Sequence, residues 1–135
     1  MKILISEDTD IKFETIFNTL LKYNNKIEIE RTTSINETVR TLLDSDFDAL
    51  ILDMQLPQFK KEPFDIVKKG GLEILQYLEK NNKTIPTIIL STGNNIREIL
   101  DLNVFGYDFE NIKTSTFYFD STCWENDLRS FLSSI

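Results

Sequence analysis

The sequence predicts a doubly wound α/β domain: a five-stranded parallel sheet with helices on both faces. Two observations carry that prediction. Short β-branched or apolar runs alternate along the whole chain with segments whose apolar residues recur every three to four positions, the pattern of strand-helix-strand crossovers. Polar residues collect at the carboxyl ends of those runs, where open parallel sheets bind ligands. At 135 residues the chain has room for one such domain with one sizeable core, and it is expected to be a single unit over 1–135 with no output domain.

The elements follow in order. Residues 2–6, KILIS, read as a buried strand ending at Glu7-Asp8. Phe13, Ile16, Phe17, Leu20 and Leu21 give one apolar helix face, closed by Asn24-Asn25. Ile27 and Ile29 alternate with polar residues as a half-buried second strand. Ser34 and Glu37 form a capping-box pair in front of Val39, Leu42 and Leu43, a second helix. The run from Phe47 to Asp53, with ALIL at its centre, suits a central strand covered on both faces. Leu72, Leu75 and Leu78 mark a third helix, Thr84 to Leu90 a fourth strand, and Ile96, Ile99 and Leu100 a fourth helix. Thr116 to Phe119 reads as the fifth strand, and Thr122 with Glu125 as a second capping box opening a last helix with Leu128, Phe131 and Leu132.

Composition removes several kinds of chemistry. Without histidine, Ser-His-Asp and Cys-His catalysis and the usual Cys/His metal clusters are impossible, and the single Cys123 cannot form an intrachain disulfide. A net charge of -7 argues against binding a nucleic-acid backbone, which needs clustered Lys and Arg. No apolar run approaches the ~20 residues that cross a bilayer, so no membrane association is expected, and the protein reads as cytoplasmic.

Chemistry must therefore rest on carboxylates, hydroxyls, lysines or an oxygen-bound metal, and Glu7, Asp8, Asp53 and Ser91 stand at strand ends. Carboxylates gathered there repel one another unless a hard cation sits between them, and magnesium prefers oxygen ligands. With the charge neutralised, one carboxylate can act as a nucleophile toward a phosphoryl group, and Ser91 can donate a hydrogen bond to a phosphoryl oxygen.

The acidic pair in "ILISED", the segment "LILDMQLP", the helix start "GGLEIL" and the strand "IPTIILST" together resemble the receiver domains of two-component response regulators, over nearly the whole chain. The resemblance implies a flavodoxin-like (βα)5 fold. It implies Asp53 as phosphoacceptor, magnesium held by Glu7, Asp8, Asp53 and the main-chain carbonyl of Gln55, and Ser91 as the switch hydroxyl. It also implies a histidine kinase or phosphotransfer protein as donor, an unidentified downstream protein, a monomer or homodimer, and no enzymatic activity beyond self-phosphorylation and self-dephosphorylation on Asp53.

The chain departs from the family in two places. The family's lysine at the end of the fifth strand, usually followed by proline, falls on Asp120 or Ser121, and no Lys-Pro occurs. Lys113 could take its role if the strand lay earlier, around Phe109 to Lys113; the switch aromatic falls on Phe117 or Tyr118. Residues 58–70 form an insertion after the third strand, and its Lys60, Lys61, Lys68 and Lys69 are further candidates for the missing cation. Phe117, Tyr118 and Trp124 are also candidates for a partner-binding face.

Two other readings stand beside the receiver. A degenerate receiver would keep the fold and act as a phosphorylation-independent interaction module. A phosphatase resembling the haloacid dehalogenases is suggested by the Asp-x-Asp in "ISEDTD". It is disfavoured because Lys12 stands where that family has Thr or Val, and because there is little room for a cap domain.

Overall fold

The computed structural model describes residues 1–92 and 112–135. Chain order is β1 (Lys2–Ser6), α1 (Asp10–Tyr23), β2 (Glu28–Thr32), α2 (Ile35–Asp44), β3 (Ala49–Leu52), β4 (Leu56–Pro57), β5 (Ile66–Val67), α3 (Gly70–Lys80), β6 (Thr87–Ser91), β7 (Ile112–Thr116) and α4 (Cys123–Ser133). Five strands form one sheet in the order β2-β1-β3-β6-β7, every pairing parallel. This is the flavodoxin-like order, in which the chain leaves β1 to one side for β2 and returns to the other for β3. The crevice between the carboxyl ends of β1 and β3 is the switch point. The fourth predicted helix, with Ile96, Ile99 and Leu100, lies outside the described residues.

Strand alternation divides the core into two layers. Ile3, Ile5, Ala49, Ile51, Ile88 and Leu90 pack with Ile16 and Leu20 of α1 and with Trp124, Leu128 and Phe131 of α4. Leu4, Leu50, Leu52 and Ile89 point the other way, onto Ile35 and Leu42 of α2 and Leu72, Ile74, Leu75 and Leu78 of α3. Successive side chains of a strand face opposite sides, so a strand covered by helices on both must be apolar at every position, and β3 is. The uninterrupted apolar run thus marks the strand that carries Asp53.

Three predicted features are corrected. Among the described residues the fifth sheet strand is Ile112–Thr116, paired with β6 from Thr87↔Ile112 to Ser91↔Thr116, rather than 116–119; it takes in Ile112 and Lys113 of the earlier placement, whose residues 109–111 lie outside the described residues. Among the described residues β7 pairs on one side only, so IKTST need not be apolar, and its buried Ser115 donates to Asp127 Oδ2 at 2.6 Å. Phe117 is apolar because it plugs the core beside Trp124, at 4.8 Å between ring centroids, whereas Tyr118 and Phe119 are 53% and 62% exposed.

The second capping box does not form: Thr122 makes no side-chain cap, and Ser121 Oγ accepts from the Cys123 N–H at 3.2 Å instead. At α2, Ser34 Oγ does accept from Glu37 N–H, but Glu37 Oε1 reaches back to the N–H of Thr33 rather than of Ser34. The segment after the third strand also contains an element the sequence did not announce. Leu56–Pro57 and Ile66–Val67 pair antiparallel as a two-stranded ribbon.

Candidate functional site

The carboxyl end of β1 is laced by main-chain bonds to β2 on one side and to β3 on the other. Glu7 N–H donates to Thr32 O and Asp53 N–H to Ser6 O, both at 3.0 Å. A buried hydroxyl chain supports them from below: Thr38 Oγ1 lies 2.7 Å from Ser6 Oγ, from Thr32 Oγ1 and from Ser34 O. Arg31 fixes the turn into α1, donating from Nε to Glu7 O, pairing with Asp10 and stacking over Phe13. Gly71 N–H donates to Met54 O at 2.9 Å, and its missing side chain lets the start of α3 press against the peptide after Asp53.

On this frame Glu7, Asp8 and Asp53 meet, each offering a carboxylate oxygen within 4.8 Å of the others. Glu7 is buried, Asp8 half-buried and Asp53 8% exposed. The three line a cleft of about 170 Å³ with Thr9, Lys12, Gln55, Ile66, Thr92 and Phe119. An all-oxygen set beside an open cleft suits a hard cation that keeps some of its water, and the donors present fit magnesium. Burial drives the Glu7 carboxyl up from 4.5 to about 7, outweighing the ammonium beside it, with the Asp53 charge adding in the same direction. Asp8 is raised as well, by burial first and by Asp53 second.

The residue sequence reasoning missed is Lys12. It is 4% exposed, and its ammonium contacts Glu7 Oε2 at 2.8 Å, Asp53 Oδ1 at 3.3 Å and the Leu90 carbonyl oxygen at 2.6 Å. Three N–H groups thus meet three acceptors, the condition under which an ammonium tolerates burial. The ring of Phe117 lies 5.3 Å away. A signal was present in the sequence: Lys12 falls four and eight residues before Ile16 and Leu20, on the core-facing stripe of α1, where a charge demands a partner.

The other cation candidates stand elsewhere. Lys60 pairs with Glu37 at 3.6 Å, and Lys113 lies within β7 opposite Ile88, three residues short of the strand end. Among the described residues, neither these nor Lys61, Lys68 or Lys69 forms an ion pair with Asp53; Lys12 does. Phe117, rather than Asp120 or Ser121, stands at the end of β7, its N–H donating to Ser91 O at 2.9 Å. Ser91 is buried, and its Oγ has no hydrogen-bond partner among the described residues. A buried hydroxyl left unpaired is costly, and at the end of β6, one residue before the cleft-lining Thr92, it suits a ligand oxygen that arrives later. Asp53 Oδ1 also accepts from Met54 N–H at 2.8 Å, so this carboxylate caps its own turn as well as facing the cleft.

Solved structures share this fold. The response regulator protein TrrA from Thermotoga maritima, in complex with Mg(2+)-BeF, is 19% identical with a TM-score of 0.69, over 96% of this chain and 97% of that one. A response regulator receiver domain protein from Clostridium thermocellum is 20% identical with a TM-score of 0.69, over 98% and 91%. The Francisella response regulator 1452 receiver domain is 20% identical with a TM-score of 0.63, over 99% and 98%. A comparison with curated protein sequences gave no match. The family model for the response regulator receiver domain matches residues 3–109, and on that match the chain belongs to the response regulator receiver domain family.

Proposed function

We propose that this receiver domain accepts a phosphoryl group on Asp53 with magnesium and signals by protein contact. The supporting observation is the meeting of Glu7, Asp8 and Asp53 at the switch point of the sheet, beside a cleft, with the Ser91 hydroxyl at the end of β6 buried and without a partner among the described residues. Glu7, Asp8, Asp53 and the main-chain carbonyl of Gln55, a residue that also lines the cleft, are the groups that would hold the metal. Bound there, magnesium supplies charge neutralisation and polarises the incoming phosphoryl oxygens.

The chain's own residues do the rest. Asp53 Oδ1 is tied to Met54 N–H and Lys12, which leaves Oδ2 as the attacking oxygen. Ser91 donates its hydroxyl to a phosphoryl oxygen. The new group brings about two negative charges and draws Ser91, with the β6 end, toward it. Phe117, bonded to Ser91 and packed on Trp124, transmits that shift to α4. A histidine kinase or phosphotransfer protein supplies the phosphoryl group, since this chain has no histidine, and a downstream protein reads the rearranged face, on a monomer or homodimer in the cytoplasm. Among the described residues no helix is long and apolar enough to cross a membrane.

One observation favours a second reading. Lys12 already neutralises part of the acidic cluster, as a constitutive interaction module without phosphorylation would need. Titration with beryllofluoride and magnesium while following Trp124 fluorescence decides between them: a saturable change, absent in Asp53→Asn, supports the phosphoryl switch, and no change in the native protein supports the module.

A further inference from the structure

We infer that Lys12, from helix α1, is the catalytic cation of this site, paired with the phosphoryl group where other receivers use a lysine from the fifth strand. The inference rests on the reading of Asp53 as phosphoacceptor and adds a residue to it. Its ground is geometric. The end of β7 offers Phe117, which cannot carry charge, yet the ammonium of Lys12 lies 5.3 Å from that ring and 3.3 Å from Asp53 Oδ1. It is also bonded to Leu90 O, the residue before Ser91, so the cation and the switch hydroxyl belong to the same strand end.

Burial keeps the field of this ammonium strong. A lysine 4% exposed between two buried carboxylates is shielded from solvent screening, so its field acts nearly undiluted on whatever charge develops at Asp53. With all groups ionised, one ammonium among three carboxylates leaves two negative charges, which a single divalent cation balances. The added phosphoryl charge then draws the ammonium away from Glu7.

In the step itself, Asp53 Oδ2 attacks the phosphorus of the donor, acetyl phosphate or a phosphohistidine. The aspartyl O–P bond forms as the donor's O–P or N–P bond breaks. The bonding pair leaves with acetate, or with imidazole, which takes a proton from water. Lys12 keeps its protons throughout. It exchanges its bond to Glu7 Oε2 for one to a phosphoryl oxygen, and the shift is felt by Phe117 and then Trp124, 4.8 Å beyond.

The test uses acetyl phosphate with magnesium and intact mass as the readout, on native protein, Lys12→Met, Lys12→Gln, Lys12→Arg and Lys113→Met, with magnesium affinity measured separately from Trp124 fluorescence. Lys12→Gln keeps amide donors for Glu7 and Leu90 and serves if Lys12→Met does not fold. The expected result is a loss in phosphorylation rate on the order of a hundredfold in both neutral variants, partial retention in Lys12→Arg and none lost in Lys113→Met. Magnesium affinity should be unchanged or higher in the neutral variants, because a competing cation is gone. A folded neutral variant that is phosphorylated at the native rate, or one whose loss matches a loss of magnesium affinity, overturns the role of Lys12 and leaves Asp53 as acceptor. No phosphorylation of the native protein overturns both.

Discussion

Replacing Gly71 with alanine should disturb the phosphorylation site from behind. A Cβ built on Gly71 meets Asp53 O at 2.6 Å, Met54 Cα at 3.1 Å and the Asp53 carbonyl carbon at 3.3 Å. All three are backbone atoms, so no side chain can rotate away. The Gly71 N–H bond to Met54 O, at 2.9 Å, also keeps α3 from simply backing off. Relief requires a shift of more than half an ångström in the peptide carrying Asp53 or in the first turn of α3. Overpacking of this kind costs about 1–3 kcal/mol, against a helix-propensity gain of at most about 1 kcal/mol. A displacement approaching 1 Å at a reacting group is worth about a hundredfold in rate.

The neighbouring glycine is the control. At Gly70 the nearest atom, at 2.9 Å, is the tip of the Ile35 side chain, which can turn aside, and Leu56 Cβ follows at 3.2 Å. Gly70→Ala should therefore lie within about 1 kcal/mol of native, and Gly71→Ala below it, in urea unfolding midpoints, with acetyl phosphate phosphorylation slowed only in the latter. A Gly71→Ala protein as stable as native and phosphorylated at the native rate would refute the reasoning.

Two further predictions follow from buried polar groups. Because the Glu7 carboxyl is raised from 4.5 to about 7, the folded state holds its proton more tightly than the unfolded chain. Metal-free stability should then fall as pH rises from about 4.5 and level off above about 7, a loss of about 3 kcal/mol in urea unfolding, with Asp8 acting in the same sense. Magnesium affinity should climb over the same window, since the metal displaces that proton, and Glu7→Gln should flatten the pH dependence of stability. For Ser91→Ala, whose hydroxyl is buried and unpartnered among the described residues, resting stability should be unchanged or up to about 1 kcal/mol higher, while the fluorescence response to beryllofluoride weakens. A marked loss of stability would show that the hydroxyl already has a structural partner.

Much of the site can be read from the sequence because the relevant residues stand at the ends of unmistakable strands. β3 is apolar at all four positions, so the next residue, Asp53, must sit at a carboxyl end of the sheet. Glu7-Asp8 and Ser91 follow the same logic from β1 and β6. β7 escaped because IKTST is polar, which a strand paired on one side only among the described residues permits, while the aromatic FYF beside it imitates a strand although only Phe117 enters the core. Lys12 escaped for a related reason. Its place on the buried face of α1 is visible in the helical period, but which acceptors meet it depends on β1, β3 and β6 converging, and that is a tertiary fact.

Intact mass after incubation with acetyl phosphate and magnesium reports directly on whether Asp53 takes a phosphoryl group. The native protein should gain one phosphoryl group and Asp53→Asn none. A native protein that gains no mass, or a gain that survives in Asp53→Asn, would show that Asp53 is not the acceptor.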